Sequence, residues 1–483
     1  MNNVNLNILK ISKEILDTGI DKIELNNKDI LNNILFSISY HYDINKDIRC
    51  IVAFEKICKN INVDINIRIF LYWQFVRISF LNKEILKSIN IKEIYDSILD
   101  TVNQSSALKE ISEIKEKNKQ IAVFITNQFL SYEHSPTKIL LSMIKSINDK
   151  FSEIHEIYIF NSTEMPKISP CSYYKPSVFN HINISDEYFY YLMKLASIDR
   201  CEVNYFDDID ETNSLKKIDN MLEEIYTLKP NFIISIGGSN ILADMCNNFT
   251  DVYTYGTTRD TPIAKTKYLV KSLNTTKIKE ILINDKQSII EIPQGFFGLE
   301  DKYDESYIRE QFEIPNDLFL ISIVGNRLEE ELSDKFIDIC KDILIKNKNT
   351  GIVFIGEYNK ECLKNKLPKD VYNRLYTIGF KNNLISAIAL SDMFLNPKRT
   401  GGGYGGLAAI LCNIPVISIN TGDVSELLSD EFKVSSYSEM FDLVNSIIEN
   451  NDLYIRMCDK IKILSNKYEG KDWDLLINYI LQK

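Results

Sequence analysis

The chain lacks the features that mark membrane-spanning, secreted and nucleic-acid-binding proteins. No run of 18 or more apolar residues occurs, so the sequence predicts no membrane-spanning helix. The first residues lack the basic and then apolar pattern of a signal peptide. We therefore expect a cytoplasmic protein, with peripheral contact at the inner face of a membrane left open. A net charge of −11 argues against a general nucleic-acid binder, whose surface is basic.

Cysteine and histidine are too sparsely arranged to indicate a metal site or a disulfide framework. The nine cysteines are odd in number and none of them form a Cys-x-x-Cys pair, so we expect buried thiols. Only four histidines occur in 483 residues. The acidic pair Asp207-Asp208 lies in a polar stretch that favours a solvated turn over a metal site. The sequence therefore predicts no metal and no resident cofactor.

Proline and glycine are almost absent from residues 1–116, which contain no proline and only Gly19. Apolar residues recur there at spacings of three and four, which predicts helices. The aromatic-rich segment 70–75 favours a helix core over a ligand-binding cluster. We assign residues 1–116 to a helical N-terminal region, which could contact a partner protein, an acceptor or a membrane surface.

From residue 117 onwards, predicted strands and helices alternate. Buried strands are expected at residues 120–126, 156–160, 231–236, 318–324, 351–355, 375–378, 393–395 and 415–418, and more weakly at 432–434. This alternation indicates an α/β fold with mostly parallel sheets covered on both faces. We predict two doubly wound domains in tandem, at 117–300 and 301–483, the second ending in helices. Ligands are then expected at the carboxyl ends of the strands, in the cleft between the two sheets.

A basic, glycine-rich stretch follows the strand predicted at 393–395. Five of the 17 glycines lie between Gly401 and Gly406, directly after two cations and before an apolar helix. Backbone N–H groups and a helix N-terminus in this arrangement can approach an anion closely, and the cations complete a phosphate site. The alternative is a glycine-rich turn with solvated cations. The predicted phosphate-binding residues here are Lys398, Arg399, Thr400, Gly401, Gly402, Gly403 and Tyr404.

Several motifs of the second half occur in a characteristic order. They are Ile292-Pro-Gln-Gly-Phe296, Val324-Gly-Asn-Arg-Leu328, Tyr376-Thr-Ile-Gly-Phe380, Ala389-Leu-Ser-Asp-Met-Phe-Leu-Asn-Pro397, Cys412-Asn-Ile-Pro-Val-Ile-Ser418 and Gly422-Asp-Val-Ser-Glu-Leu-Leu428. Together they resemble the nucleotide-sugar glycosyltransferases of the GT-B fold, in the large retaining family with a glycosyltransferase group 1 C-terminal domain. The resemblance implies two facing Rossmann-like domains.

The resemblance also implies a function. It implies a bacterial hexosyltransferase of glycan biosynthesis that moves a sugar from a nucleotide-sugar, most readily a UDP-sugar, to a glycan, lipid-linked glycan or protein. It further implies retention of configuration without a metal. The nucleotide-sugar would be a substrate and not a cofactor.

The chain departs from the family at two positions. Two glutamates usually stand eight positions apart around the glycine loop, where this chain has Thr400 and Ala408. Ala408 cannot hold ribose hydroxyls, and Thr400 offers only a neutral hydroxyl. The triple glycine resembles a variant branch in which backbone amides and a basic residue contact the phosphates. Glu426 is the carboxylate matched in place, either as a hydroxyl contact or as a solvated glutamate near a helix N-terminus.

The remaining site residues follow from the resemblance and from their places after predicted strands. Arg327 and Arg399 are expected to stabilise the departing phosphate. His134 could bind the sugar or acceptor, act as a base, or merely hold its own loop through Ser135 and Thr137. Base, ribose or sugar contacts are expected at Gly379, Phe380 and Glu426, and acceptor-side loops at Ser135, Thr137, Gly237, Gly238 and Ser239.

Two other functions are compatible with this sequence. A non-catalytic GT-B subunit would bind a partner glycosyltransferase or an acceptor polypeptide. The missing glutamates favour it, and the basic glycine loop opposes it. A nucleotide-sugar epimerase ranks last, because the predicted cleft has few carboxylates and histidines.

Overall fold

The structure, a computed structural model, describes residues 3–23, 25, 27–81, 89–108, 110–132, 134–164, 184–208, 211, 213–257, 262–272, 286–292, 306–466, 468 and 473–483. The chain divides into two compact units. The N-terminal unit contains Met1–Lys271, Lys277–Ile290 and Ile480–Lys483, and the C-terminal unit contains Ser272–Thr276 and Glu291–Tyr479. In the part of the chain that is described, no helix is long and apolar enough to cross a membrane.

Five helices begin the N-terminal unit. They are α1 (Asn3–Thr18), α2 (Lys28–Asn45), α3 (Ile48–Lys59), α4 (Ile65–Leu81) and α5 (Ile91–Ser105). Helix α4 buries Phe70, Tyr72, Trp73 and Phe75, which confirms that this aromatic segment is a helix core. Arg68 of α4 is also fully buried, and it donates to the Cys58 carbonyl and the Thr101 hydroxyl, each at 2.7 Å. These bonds to α3 and α5 compensate the desolvation of its charge.

The first sheet has seven strands. They are β1 (Asn118–Thr126), β2 (Glu156–Asn161), β3 (Glu202–Asp207), β4 (Pro230–Ile236), β5 (Val252–Tyr255), β6 (Tyr268–Ser272) and β7 (Ser288–Ile292), in the spatial order β3-β2-β1-β4-β5-β6-β7. Strands β1 to β6 pair in parallel. The helices between them are α6 (Ser135–Lys150), α7 (Asp186–Leu195), α8 (Ser214–Leu228) and α9 (Ile241–Cys246). Asp207 ends strand β3, so the turn predicted at Asp207-Asp208 begins one residue too early.

The N-terminal helices and the first sheet share one hydrophobic core. Two hydrogen bonds join them: the Tyr72 hydroxyl lies 2.6 Å from the Ser239 hydroxyl, and the Tyr95 hydroxyl donates to Asp244. The regions predicted as 1–116 and 117–300 therefore contribute to a single compact unit.

The C-terminal unit contains a six-stranded sheet. Its strands are β8 (Phe319–Val324), β9 (Thr350–Ile355), β10 (Leu375–Gly379), β11 (Met393–Asn396), β12 (Val416–Ile419) and β13 (Lys433–Val434), in the order β10-β9-β8-β11-β12-β13. Every neighbouring pair is parallel. The apolar runs predicted all of these strands, because a strand buried on both faces has no polar face. The two parallel sheets confirm the predicted α/β fold.

Nine helices cover this second sheet within the described residues. They are α10 (Leu328–Glu331), α11 (Asp334–Lys346), α12 (Lys369–Tyr372), α13 (Leu384–Ile388), α14 (Gly403–Leu411), α15 (Gly422–Leu427), α16 (Tyr437–Glu449), α17 (Asn451–Ser465) and α18 (Trp473–Leu481). Short 3-10 turns occupy Ile20–Lys22, Arg309–Phe312, Lys360–Leu363 and Asp430–Phe432. The predicted motif 292–296 lies, from Pro293 on, outside the described residues.

Candidate functional site

The glycine-rich stretch is part loop and part helix. Helix α14 begins at Gly403, and Gly402 precedes it with a φ of 90°. A Cβ atom on Gly406 would lie 2.7 Å from Val424, and one on Gly405 would lie 3.4 Å from Val324. Close packing therefore requires a small residue at position 406 and favours one at 405. The predicted loop of five glycines is wrong in this respect, because the helix starts three residues earlier than its apolar run.

Arg399 lies beneath this loop and is only 8% exposed. Its Nε donates to Asn396 Oδ1 and its Nη1 donates to Glu331 Oε2, both at 2.8 Å. A Cβ atom on Gly325 or on Gly402 would lie 2.7 Å from the guanidinium, so these two glycines leave the space that it fills. Arg399 Nη2 is buried and has no hydrogen-bond partner in the structure. The arginine thus retains one donor that a ligand could satisfy.

Glu331 joins two arginines. Its Oε2 accepts from Arg399, and its Oε1 accepts from Arg327 Nη2 at 3.0 Å. The Glu331 side chain is 12% exposed, whereas that of Arg327 is 43% exposed. Burial lowers the pKa of Arg399, and the neighbouring Glu331 carboxylate opposes that shift. Arg327 is therefore the accessible cation, and Arg399 is the buried one.

Sequence analysis did not single out Glu331. The i,i+4 spacing from Arg327 is the local signal that could have found their pair. Its contact with Arg399 spans 68 residues and depends on the fold. Strands β8 and β11 are neighbours in the sheet, so the loops that follow them meet at its carboxyl edge.

The loop after β11 also contacts helix α15. The Thr400 carbonyl accepts from the Asp423 N–H at 2.8 Å. Gly422 has a φ of 76°, and a Cβ atom there would overlap the Arg399 carbonyl oxygen. Only glycine fits at this position without moving the backbone. These contacts fix the loop in front of the N-terminus of α14.

Lys398 faces away from this arrangement and lines a separate open groove of about 450 Å³. Its backbone N–H donates to the Tyr437 hydroxyl at 3.2 Å. The two cations predicted to bind one phosphate group are thus placed differently, one in the groove and one beneath the loop.

The residues predicted to contact the base or ribose lie on two elements. Gly379 ends β10 with a φ of 68°, its carbonyl accepts from the Gly356 N–H at 2.9 Å, and Phe380 beyond it is 44% exposed. Glu426 is exposed on α15. Ala408 is fully buried in α14, in keeping with the expectation that it contacts no ribose.

His134 caps helix α6 in the N-terminal unit. Its Nδ1 lies 3.0 Å from the Thr137 hydroxyl, which also accepts from the Leu130 N–H at 3.0 Å. Burial lowers the pKa of His134 to about 4, so the ring is neutral near pH 7. Ser135 and Thr137 lie in the first turn of α6 and not in a loop as predicted, because Pro136 is tolerated at a helix start.

The loop after β4 is tied to its neighbours. Gly237 has a φ of 140°, and the Gly238 carbonyl accepts from the Ile263 N–H at 2.9 Å. Ser239 is buried: its hydroxyl contacts Tyr72, and its carbonyl accepts from Asn127 Nδ2 at 2.7 Å. This serine therefore supports the packing of α4 on the loop.

Two buried carboxyl groups nearby were also missed. Glu164 Oε1 accepts from the Leu242 N–H at 3.0 Å, and Asp244 accepts from the Lys265 N–H at 2.7 Å. Burial raises the pKa of each to about 7. Among the described residues, no group of three His, Cys, Asp or Glu side chains could hold a metal ion.

Comparisons with known proteins agree with the fold. The chain resembles an O-GlcNAc transferase mutant of Thermobaculum terrenum with a TM-score of 0.54 and 11% identity over 99% of this chain and 98% of that one. It resembles Anabaena HepE in complex with UDP with a TM-score of 0.51 and 13% identity over 75% and 99%. It resembles S. aureus TarM in complex with fondaparinux, alpha-GlcNAc-glycerol and UDP with a TM-score of 0.51 and 10% identity over 75% and 98%.

At such identities these structures show the fold alone. Comparison of the sequence with curated proteins gives no match. Residues 304–462, however, match the family described as "Glycosyl transferases group 1". The C-terminal unit therefore carries a glycosyl transferases group 1 domain within a GT-B fold.

Proposed function

We propose that this protein is a glycosyltransferase that moves a sugar from a UDP-sugar to a glycan, lipid-linked glycan or protein acceptor. One observation carries the proposal: Glu331 holds Arg327 and Arg399 together beside the N-terminus of α14, within the group 1 domain. A UDP-sugar is favoured because HepE and TarM are described as UDP complexes.

The arrangement suits a departing nucleoside diphosphate. Negative charge grows on the leaving phosphate in the transition state, so fixed cations and oriented N–H groups lower the barrier. Arg327 is exposed enough to contact the phosphate, and Glu331 restricts its orientation. The first turn of α14 adds the positive end of a helix dipole. In this account Arg399 is a positioning residue, and its unpaired Nη2 can donate into the same site.

The remaining chemistry is proposed on the resemblance. We assign retention of configuration without a metal, with the leaving phosphate assisting deprotonation of the acceptor. His134 receives a structural role, because Thr137 engages its Nδ1. Phe380, exposed at the end of β10, is assigned to stack on the base.

A donor-hydrolysis assay tests this function. Wild-type protein, Arg327→Ala and the surface control Lys341→Ala are incubated with UDP-, GDP- and dTDP-sugars, and the released nucleoside diphosphate is measured. Wild type and the control should release one nucleotide, and Arg327→Ala should lose about 100-fold or more in rate. Absence of release and of thermal stabilisation by every donor at millimolar concentration would reject the proposal.

The non-catalytic alternative has one observation in its favour. The positions of the usual glutamates hold Thr400 and the fully buried Ala408, so neither offers a carboxylate to the donor. Under this alternative the protein binds a partner glycosyltransferase or an acceptor polypeptide, and Arg327→Ala leaves that binding intact. Retained partner binding without any nucleotide response would favour it.

A further inference from the structure

We propose that the groove beside Lys398 is a second anion-binding site, which takes a phosphate-bearing small molecule or the phosphate group of a larger one. We call it the lysine groove. It has a volume of about 450 Å³ and is lined by Lys335, Lys398, Ile419, Asn420, Thr421, Ser435, Ser436 and Tyr437. This inference does not rest on the proposed transfer reaction.

The sheet topology brings the groove together. Strands β11, β12 and β13 are consecutive and parallel, so the residues that follow them share one edge. Lys398, Thr421 and Ser435 each lie one or two residues after one of these strands. Helices α11 and α16 pack together beside that edge, with the rings of Phe336 and Tyr437 5.7 Å apart, and they add Lys335 and Tyr437.

The charges of the groove are one-sided. Lys335 and Lys398 are both exposed, neither forms an ion pair with any described residue, and no carboxylate is among the lining residues. This is unusual in a chain with a net charge of −11, where acidic partners outnumber basic ones. Two ammonium groups on one groove repel each other, and an anion between them removes that repulsion.

The nearest described carboxylate on these elements is already committed. Glu439 accepts from the Ser435 N–H at 2.9 Å and from the Ser435 hydroxyl at 2.5 Å. The Tyr437 hydroxyl accepts from the Lys398 N–H, which leaves its own proton to donate. Helices α11 and α16 both begin here, and their N-termini add partial positive charge. The groove thus offers two cations and a hydroxyl donor to one ligand.

The lysine groove is distinct from the arginine site. None of its lining residues is Arg327, Arg399 or a residue of α14. The link between them is the loop after β11, which the Tyr437 hydroxyl contacts at Lys398. The volume exceeds that of inorganic phosphate and leaves room for a sugar, so the expected occupant is a phosphate ester.

Calorimetric titration of the full chain tests the site. Inorganic phosphate, glucose 1-phosphate and glucose are titrated in the presence and absence of saturating UDP. Both phosphates should bind and glucose should not, and UDP should not displace them. Lys335→Ala should weaken binding several-fold and Lys335→Ala/Lys398→Ala by at least about tenfold, because charge-assisted hydrogen bonds are lost.

Two controls keep the result interpretable. Lys341→Ala on α11 removes a lysine that pairs with Asp338 outside the groove, and it should bind like wild type. Circular dichroism checks that each variant is folded. Tighter binding of glucose 1-phosphate supports a sugar ester as occupant, and equal binding supports recognition of the phosphate alone. No binding at millimolar concentration, displacement by UDP, or full retention by the double variant would overturn the site.

Discussion

Arg399 donates from Nη1 to Glu331 Oε2 at 2.8 Å, and this ion pair joins the loop after β11 to helix α10 after β8. The two side chains are 4% and 12% exposed. A buried pair of this kind need not stabilise the fold relative to apolar residues, but removal of one partner leaves an uncompensated charge. The pair thus makes the arginine site and the stability of the C-terminal unit depend on each other.

Glu331→Ala should destabilise the C-terminal unit by about 3 kcal/mol, because Arg399 stays buried without its counter-charge. Urea unfolding followed by tryptophan fluorescence and circular dichroism measures the loss. Glu330→Ala, an exposed neighbour in the same helix, is the matched control and should change stability by less than about 0.5 kcal/mol. Equal stability of the two variants would show that the ion pair contributes nothing.

Gly422→Ala should be more damaging than Gly402→Ala. Both positions have positive φ, which costs an alanine about 1–2 kcal/mol. At 402 the new methyl group meets the Arg399 side chain, which can shift, whereas at 422 it overlaps the Arg399 carbonyl, which cannot. Melting temperatures of the two variants test this order. The reverse order would mean that the loop backbone moves more easily than the guanidinium.

The pH dependence of stability should report the buried carboxyl group of Glu164. Burial raises its pKa from 4.5 to about 7, so between these values the folded chain keeps a proton that the unfolded chain releases. Stability should therefore fall as pH rises from 4.5 to 7 and stay low above that. Glu164→Gln should flatten this slope, and Asp244, shifted in the same direction, should account for part of what remains. An unchanged slope in the variant would exclude Glu164 as its source.

His134 should remain neutral well below its ordinary pKa of 6.5. Burial lowers its pKa to about 4, so its contribution to stability is complete above pH 6.5 and is lost as pH falls through 6.5 towards 4. NMR titration of the imidazole resonances, assigned with His134→Asn, measures the midpoint. A midpoint near 6.5 would show that the ring is solvated and free for base catalysis.

The fold was predictable where burial is complete. Strands such as β8 and β9 are apolar throughout and were found from sequence. Strand β3 was missed, because its residues Glu202 to Asp207 are at most half-buried at the edge of the sheet and include polar side chains. Helix α14 was predicted to start too late, because glycine has low helix propensity. The contact of Gly406 with Val424 overrides that propensity.

The site was predictable in its location but not in its contacts. The glycine-rich stretch and Arg327 do lie after neighbouring strands β11 and β8. No local pattern showed that Arg399 would fill the space left by Gly325 and Gly402, or that Glu331 would pair with it. Such partners are distant in sequence and depend on the crossing of loops at the sheet edge.

Titration calorimetry of UDP against wild type and Arg327→Ala tests the central claim most directly. Lys335→Ala, outside the arginine site, is the control. The account predicts that UDP binds to wild type and the control alike and at least about tenfold more weakly to Arg327→Ala, because an exposed, oriented guanidinium contacts the diphosphate. Equal affinity of Arg327→Ala and wild type, or no binding of UDP to any of them, would contradict it.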